Sequence, residues 1–365
     1  MEPIRVAHII DVMDSGGIEA VVMNYYRNVD RTKVQFDFIT SNTSTLPQKK
    51  EIKTLGGRIF LIPRVKHLKL YKKELKRILT ENKYDIVHCH MGTLAMFPLK
   101  VAKKCGIKIR ICHAHSTTSK REWKRNFLKK ILKPFAKKYA THYFACGNYA
   151  GKWLFGKKTF DNKQIYIMPN SINIDKYRFN EGIRQEIRQK YHIEDKFVIG
   201  HIGRFVSQKN HNFLVDVFNE VLKHRKDVVL LLVGEGPLEE DVRNQVLKLG
   251  ISENVKFLGV RKDCEKIYQA MDMFVLPSLY EGLPVVGVEA QCSGLPCLFS
   301  NTTTDEIIIN NNAKMLPLVK DKWVTELNKI NKDDRCEIDS FKMDIKKSSI
   351  DLYTKYLEMI ELKSN

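Results

Sequence analysis

A chain of 365 residues is too long for one ordinary domain and long enough for two of roughly 150 to 200 residues, each with its own core. With 43% hydrophobic and 10% aromatic residues and no low-complexity tract, the composition excludes a disordered or fibrous protein, and no apolar run approaches the roughly 18 residues of a membrane span. The net charge of +20 sits in one half: residues 1–180 hold 36 Lys and Arg against 13 Asp and Glu, and the remainder 26 against 29. The first half is therefore expected to face a polyanion, whether a membrane surface, a nucleic acid or a diphosphate-bearing substrate.

Met1 to Asp11 has neither a basic n-region nor a cleavable apolar segment, so the chain is expected to be cytoplasmic rather than secreted or integral. Eight cysteines are scattered without a C-x-x-C pair and read as buried thiols in a reducing compartment.

In chain order, β-branched runs alternate with helical patterns. Strands are expected over 4–10, 34–39, 58–62, 85–88, 107–113, 142–146 and 164–168. After a turn-rich Pro169-Asn170-Ser171-Ile172-Asn173 the alternation restarts, with strands at 197–203, 228–233, 255–258, 273–276 and 296–299. Single helices between strands imply right-handed βαβ units, so the fold class is α/β with two doubly wound, Rossmann-like domains. The expected division is 1–175, 176–340 and a final helix, 341–365, marked by Phe341, Ile345, Leu352, Tyr356 and Met359 and packing back on the body. Tandem sheets of this kind are expected to bind ligands in a cleft at their carboxyl ends.

The first strand runs into Gly16-Gly17 ahead of a helix, a turn that lets the backbone approach a phosphate and aim free N–H groups at it. A plain tight turn explains two glycines equally well, and no G-x-G-x-x-G fingerprint is present. His88, His90, His113 and His115 recur at strand ends, and spacing alone does not choose among them. Without a carboxylate or Cys partner at matching spacing they do not read as a metal site. Residues 120–135 place Trp123, Phe127, Ile131 and Phe135 on one helical stripe, with Lys124, Arg125, Lys129 and Lys130 opposite. That pattern fits an interfacial membrane binder, or equally a core-packed helix with a solvated cationic face. A second cationic run from Arg64 to Arg77 favours the membrane.

In the second half, Gly203-Arg204 ends a strand and Lys209 follows five residues after Arg204, a pair able to clamp a diphosphate. Glu281 precedes a helix expected to start near Pro284, and Glu289 lies in its second turn, where a carboxylate can hold a ribose diol. Two carboxylates in apolar sequence are costly unless they bind something. The chain has no Asp-x-Asp, the usual clamp for a divalent ion on a nucleotide diphosphate.

The Glu-x7-Glu element from Glu281 to Glu289, the Gly-Arg…Gln-Lys-Asn element from Gly203 to Asn210, the Gly16-Gly17 loop and the segment Ile111-Cys112-His113-Ala114-His115-Ser116 resemble the family 4 retaining glycosyltransferases of GT-B fold. The resemblance covers essentially the whole chain and is nearest to the exopolysaccharide and capsule branch. It implies that Arg204 and Lys209 hold the diphosphate of a nucleotide-sugar donor, with UDP the expected carrier, and that Gly16 and Gly17 approach it. Glu281 would contact the donor sugar beside the amides of Val285 and Val286, which follow Pro284. Glu289 would bind the ribose, and His115, rather than His113, would sit near the transferred sugar. Backbone atoms of Gly259-Val260-Arg261 would hold the base. Pro169-Asn170-Ser171-Ile172-Asn173 departs from the family's pattern in lacking its glycine and its acid.

The resulting expectation is a hexosyl- or N-acetylhexosaminyltransferase that needs no cofactor or metal. The acceptor hydroxyl would attack from the face the nucleoside diphosphate leaves, with Arg204 and Lys209 stabilising the departing charge. Its acceptor would be a lipid-linked saccharide at the inner face of an anionic membrane. A nucleic-acid binder would explain the charge but not Glu281 and Glu289, and a sugar-nucleotide epimerase of the same architecture is the competing enzyme class.

Overall fold

The computed structural model describes residues 2–14, 16–115, 131–332, 334–338 and 341–362. They divide into two compact units, Met1–Ile172 together with Met343–Asn365, and Asn173–Lys342. The first holds seven strands: β1 (Ile4–Ile9), β2 (Val34–Ser41), β3 (Ile59–Ile62), β4 (Ile86–Cys89), β5 (Ile109–Ala114), β6 (His142–Ala145) and β7 (Ile165–Ile167). They run parallel in the order β3-β2-β1-β4-β5-β6-β7, so the winding reverses between β1 and β4. β2 is buried at every position, as a strand covered by helices on both faces must be. Its Asp37, fully buried, is held by Arg5 at 2.9 Å and by the Nε of Arg58 at 2.9 Å.

The second unit holds β8 (Phe197–Ile202), β9 (Val228–Val233), β10 (Val255–Phe257), β11 (Met273–Leu276), β12 (Cys297–Ser300) and β13 (Ala313–Leu316), in the order β10-β9-β8-β11-β12-β13. Here the winding reverses between β8 and β11. Between them these strands and the helix His211–His224 bury Phe197, Leu214, Phe218, Leu230 and Leu232, with Trp323 closing the core.

The expected strands form within a residue or two. The strand expected at 34–39 runs on to Ser41, and that at 107–113 starts late: the Ile107 amide bonds back to Ala102 O and closes the preceding helix, so the ladder starts at Ile109. β13 was not expected; it is a four-residue edge strand paired only with β12, and its Lys314 interrupts the apolar signal. The final helix runs Ile345–Glu361, capped by Asp344, and buries Ile345, Leu352, Tyr356 and Met359 within the first unit. Phe341 is buried ahead of it. The Ile172 and Ile345 amides bond to Met343 O and Ile172 O, so the chain's exit from the first unit and its return lie side by side. Asn173 accepts the Asp175 amide at 3.1 Å and caps the helix Ile174–Tyr177, a task open to either Asn or Asp.

Three of the eight cysteines, Cys105, Cys264 and Cys336, are half-buried rather than buried, because each sits at a helix end or in a loop. No helix among the described residues is long and apolar enough to cross a membrane. Trp123, Lys124, Arg125, Phe127, Lys129 and Lys130 lie outside the described residues. Ile131 and Phe135, from the same stripe, are 48% and 41% exposed, so this end of the stripe is not core-packed.

Candidate active site

At the reversal point of the second sheet, the loops after β8 and β11 meet. The short turn Ser207–Lys209 follows β8, and Asn210 takes a left-handed φ of 58° to launch the next helix. Lys209 Nζ lies 2.7 Å from Glu281 Oε1, and Gln208 Nε2 donates to Glu281 Oε2 at 3.1 Å and to Tyr280 O at 3.0 Å. The ion pair is largely buried, with side-chain exposures of 15% and 10%. Arg204 is exposed at the end of β8. Thus Lys209 and Glu281, 72 residues apart, form one polar centre, and the expected clamp lysine is already committed to a carboxylate.

The loop backbone is held from beneath by Gly234. With φ +135°, its place would put a Cβ only 2.2 Å from Gly203 O, so the loops after β8 and β9 pack backbone to backbone. Gly259 O accepts the Gly234 amide at 2.9 Å, and beside it Val260 is exposed while Arg261 pairs with Asp263 at 2.7 Å. The sequence reading missed Gly234; the Gly-Glu-Gly-Pro run after a strand was the signal for it.

The helix Val285–Cys292 is capped by Pro284, as expected. Gly287 lets it lie on the sheet: a Cβ there would come within 3.0 Å of Phe299 and 2.9 Å of Ile307. Among the described residues the Val285 and Val286 amides, four and five residues after Glu281, have no hydrogen-bond partner, and they form the positive end of this helix. Glu289 is half-buried, and its two oxygens accept from Tyr177 at 2.8 Å and Tyr268 at 2.9 Å. These phenols aim the carboxylate and were not legible beforehand, because neither tyrosine shares a motif with it. Burial pushes the Glu289 carboxyl above its ordinary value of 4.5, and the phenols only partly oppose this.

A carboxyl raised on folding adds stability below its unfolded value that is lost as pH climbs through the folded one. Glu289→Gln removes that loss. The melting temperature of the variant relative to the parent is therefore expected to increase as pH is raised from about 4.5 towards 8. Calorimetry across that range checks it; a constant difference would mean that Glu289 ionises without strain.

In the first unit, Gly16 caps the helix Gly17–Asn28. The amides expected to be free are partly taken, since buried Glu19 accepts from the Asp14 amide at 3.0 Å and from the backbone at Gly16. A Cβ at Gly16 would lie 2.6 Å from that carboxylate. Gly16 thus makes room for a side chain of its own helix. His115 follows β5 and is half-buried, with Nε2 2.7 Å from His90 Nδ1, and burial lowers its pKa to about 3.

Residues 15–176 match the family described as Glycosyltransferase Family 4 and residues 183–337 that described as Glycosyl transferases group 1. Over 309 residues, 83% of this chain and 80% of the relative, it is 34% identical to a Bacillus subtilis (strain 168) protein named glycosyltransferase EpsF. The chain belongs to glycosyltransferase family 4. This glycosyltransferase is also 26% identical, over 90% of its length and 85% of the relative's, to the UDP-Gal:alpha-D-GlcNAc-diphosphoundecaprenol alpha-1,3-galactosyltransferase of Escherichia coli. Its fold matches the crystal structure of Anabaena Alr3699/HepE in complex with UDP-glucose at a TM-score of 0.77, 16% identity and coverage of 98% and 97%. The two units of the glycosyltransferase are therefore the Rossmann-like halves of a GT-B fold.

Proposed function

We propose that this glycosyltransferase moves a hexosyl or N-acetylhexosaminyl group, with retention, from a UDP-sugar to a lipid-linked saccharide during assembly of an exopolysaccharide or capsule. The observation that carries the donor side is the meeting of Lys209, Gln208 and Glu281 beside the open N-terminus of the helix Val285–Cys292. In this reading exposed Arg204 and the helix amides take the diphosphate. Lys209 bridges phosphate and Glu281, and Glu281 accepts from hydroxyls of the sugar. Glu289, turned by Tyr177 and Tyr268, holds the ribose, and backbone at Gly259, Val260 and Arg261 receives the base. With no Asp-x-Asp, cations and amides rather than a divalent ion carry the leaving group's charge. The departing phosphate oxygen takes the acceptor's proton as the acceptor attacks from the same face. The relatives' names support a polysaccharide pathway and, for the Escherichia coli enzyme, a diphosphoundecaprenol-linked acceptor. The cationic first half and the stripe Trp123, Lys124, Arg125, Phe127, Lys129 and Lys130 support docking on an anionic membrane from the cytoplasmic side.

A panel of nucleoside diphosphates tests the donor. UDP is expected to raise the melting temperature most, and equally with and without EDTA. Transfer from UDP-sugars to a polyprenyl-diphosphate saccharide in anionic vesicles is expected to weaken as salt screens the surface. Conversion of the donor without any transfer would point to an epimerase instead.

A further inference from the structure

Five histidines of the first unit, three from strands and two from the residues just beyond them, converge on one side of its sheet. His8 and His88 are register partners on β1 and β4; His113 lies on β5, and His90 and His115 follow β4 and β5. All but His115 are buried. Two chains of contacts run through them: His8 Nδ1 to His90 Nε2 at 2.9 Å and His90 Nδ1 to His115 Nε2 at 2.7 Å; then Tyr356 Oη to His88 Nδ1 at 2.7 Å and His88 Nε2 to His113 Nδ1 at 3.0 Å. The His113 ring stacks on His115 with centroids 3.9 Å apart. One ring nitrogen from each of His90, His113 and His115 lies within 4.8 Å of the others.

We propose that His90, His113 and His115 form a binding site for a divalent transition-metal ion, Zn2+ being the ion their chemistry suits best. Nε2 of fully buried His113 has no hydrogen-bond partner, an arrangement costly for a polar atom and resolved by a metal bond. The other nitrogens of His90 and His113 are already engaged, as outer partners of ligating imidazoles should be. With metal on His90 Nδ1 and His113 Nε2, His90 Nε2–H would donate to His8 and His113 Nδ1–H to His88, whose own Nδ1–H would then donate to Tyr356 Oη. Metal bound to His90 and His113 is therefore compatible with both contacts. Three neutral imidazoles and an open fourth position make a familiar zinc set, and half-buried His115 supplies the way in. Tetrahedral zinc with bonds of about 2.0–2.1 Å spaces its nitrogens ~3.3 Å apart, so the His90–His115 pair must open by roughly 0.6 Å. No carboxylate is needed in such a set; the expectation of no metal rested on looking for one. The site is built from residues of the first unit, and its test reads metal binding, so it does not depend on the donor reading.

The full chain, stripped with chelator at acid pH and refolded to neutrality, is titrated with Zn2+ by calorimetry and its metal content measured by plasma mass spectrometry after dialysis. About one equivalent retained, with a rise in melting temperature, is expected for the parent. His115→Ala, at the half-exposed edge, and His113→Gln are each expected to weaken binding at least tenfold, while His224→Gln, at an exposed helix end of the second unit, leaves it unchanged. Melting curves confirm that each variant folds; if His113→Gln does not, His115→Ala alone decides. A parent that retains no Zn2+, or a folded His115→Ala that binds as tightly as the parent, overturns the site and leaves the cluster a neutral hydrogen-bonded ladder.

Discussion

Lys209→Ala is expected to lower kcat/KM by about 10²- to 10³-fold, the ~2.7–4 kcal/mol that one preorganised charge partner supplies to a developing anion. Arg204→Ala, on the other side of the same turn, is expected to lose a comparable amount through diphosphate contact. For Lys209 a second effect is mixed in. Glu281 is only 10% exposed, and removing Lys209 breaks a largely buried ion pair. Breaking such a pair costs up to ~3–5 kcal/mol of stability where burial is complete. The double variant Lys209→Ala/Glu281→Gln separates the two, because the amide needs no cation and Gln208 can still bond to it. Its melting temperature is expected to recover while its turnover does not. If turnover recovers together with stability, Lys209 serves Glu281 and not the donor, and the proposed clamp is wrong.

The largest loss of stability is expected from Asp272→Ala. Asp272 is buried between β11 and the preceding helix, where Arg184 and Arg188 both pair with it and the Val198 amide donates to it at 2.7 Å. Arg335 joins them, its guanidinium bonded to Tyr268 O at 3.1 Å and Met271 O at 2.8 Å, and burial lowers its pKa to about 9. Three arginines thus converge on the carboxyl end of the helix Cys264–Ala270, whose exposed carbonyls and dipole hold them. Glu181 lies 3.9 Å from Arg184 at the surface, but the carboxylate buried with the cluster is Asp272. Deleting it leaves a buried cluster of positive charge, and a loss of ~3–5 kcal/mol is expected in urea unfolding. Asp272→Asn should recover part of it by keeping the hydrogen bonds. A loss under about 1 kcal/mol would mean that the carbonyls alone satisfy the arginines.

Much of the fold was legible because β-branched runs separated by helical periods leave few alternatives to a parallel sheet. The meeting of Lys209 and Glu281 was legible for a related reason: both stand in short elements, after β8 and β11, whose spacing survives folding. What could not be read is what folding brings together from a distance. His8 joins His90 across 82 residues through strand order alone. Tyr177 and Tyr268 meet at Glu289 from separate helices. Glu19 turns back on its own loop through a rotamer choice that no spacing encodes. Arg335, Arg184 and Arg188 look like surface cations until a helix end gathers them.

The return of the last segment to the first unit bears on how the protein is made. A ribosome releases the residues of the second unit, Asn173–Lys342, as one continuous stretch that contains all its own strands. The first unit, begun earlier, has by then all seven of its strands but not Tyr356, which reaches His88 from 268 residues downstream. At roughly 5–20 residues per second, that gap leaves the imidazole cluster uncapped for tens of seconds at the slower rate. The half started first is the half completed last, and it waits as an open sheet on which nascent chains can pair or chaperones can hold.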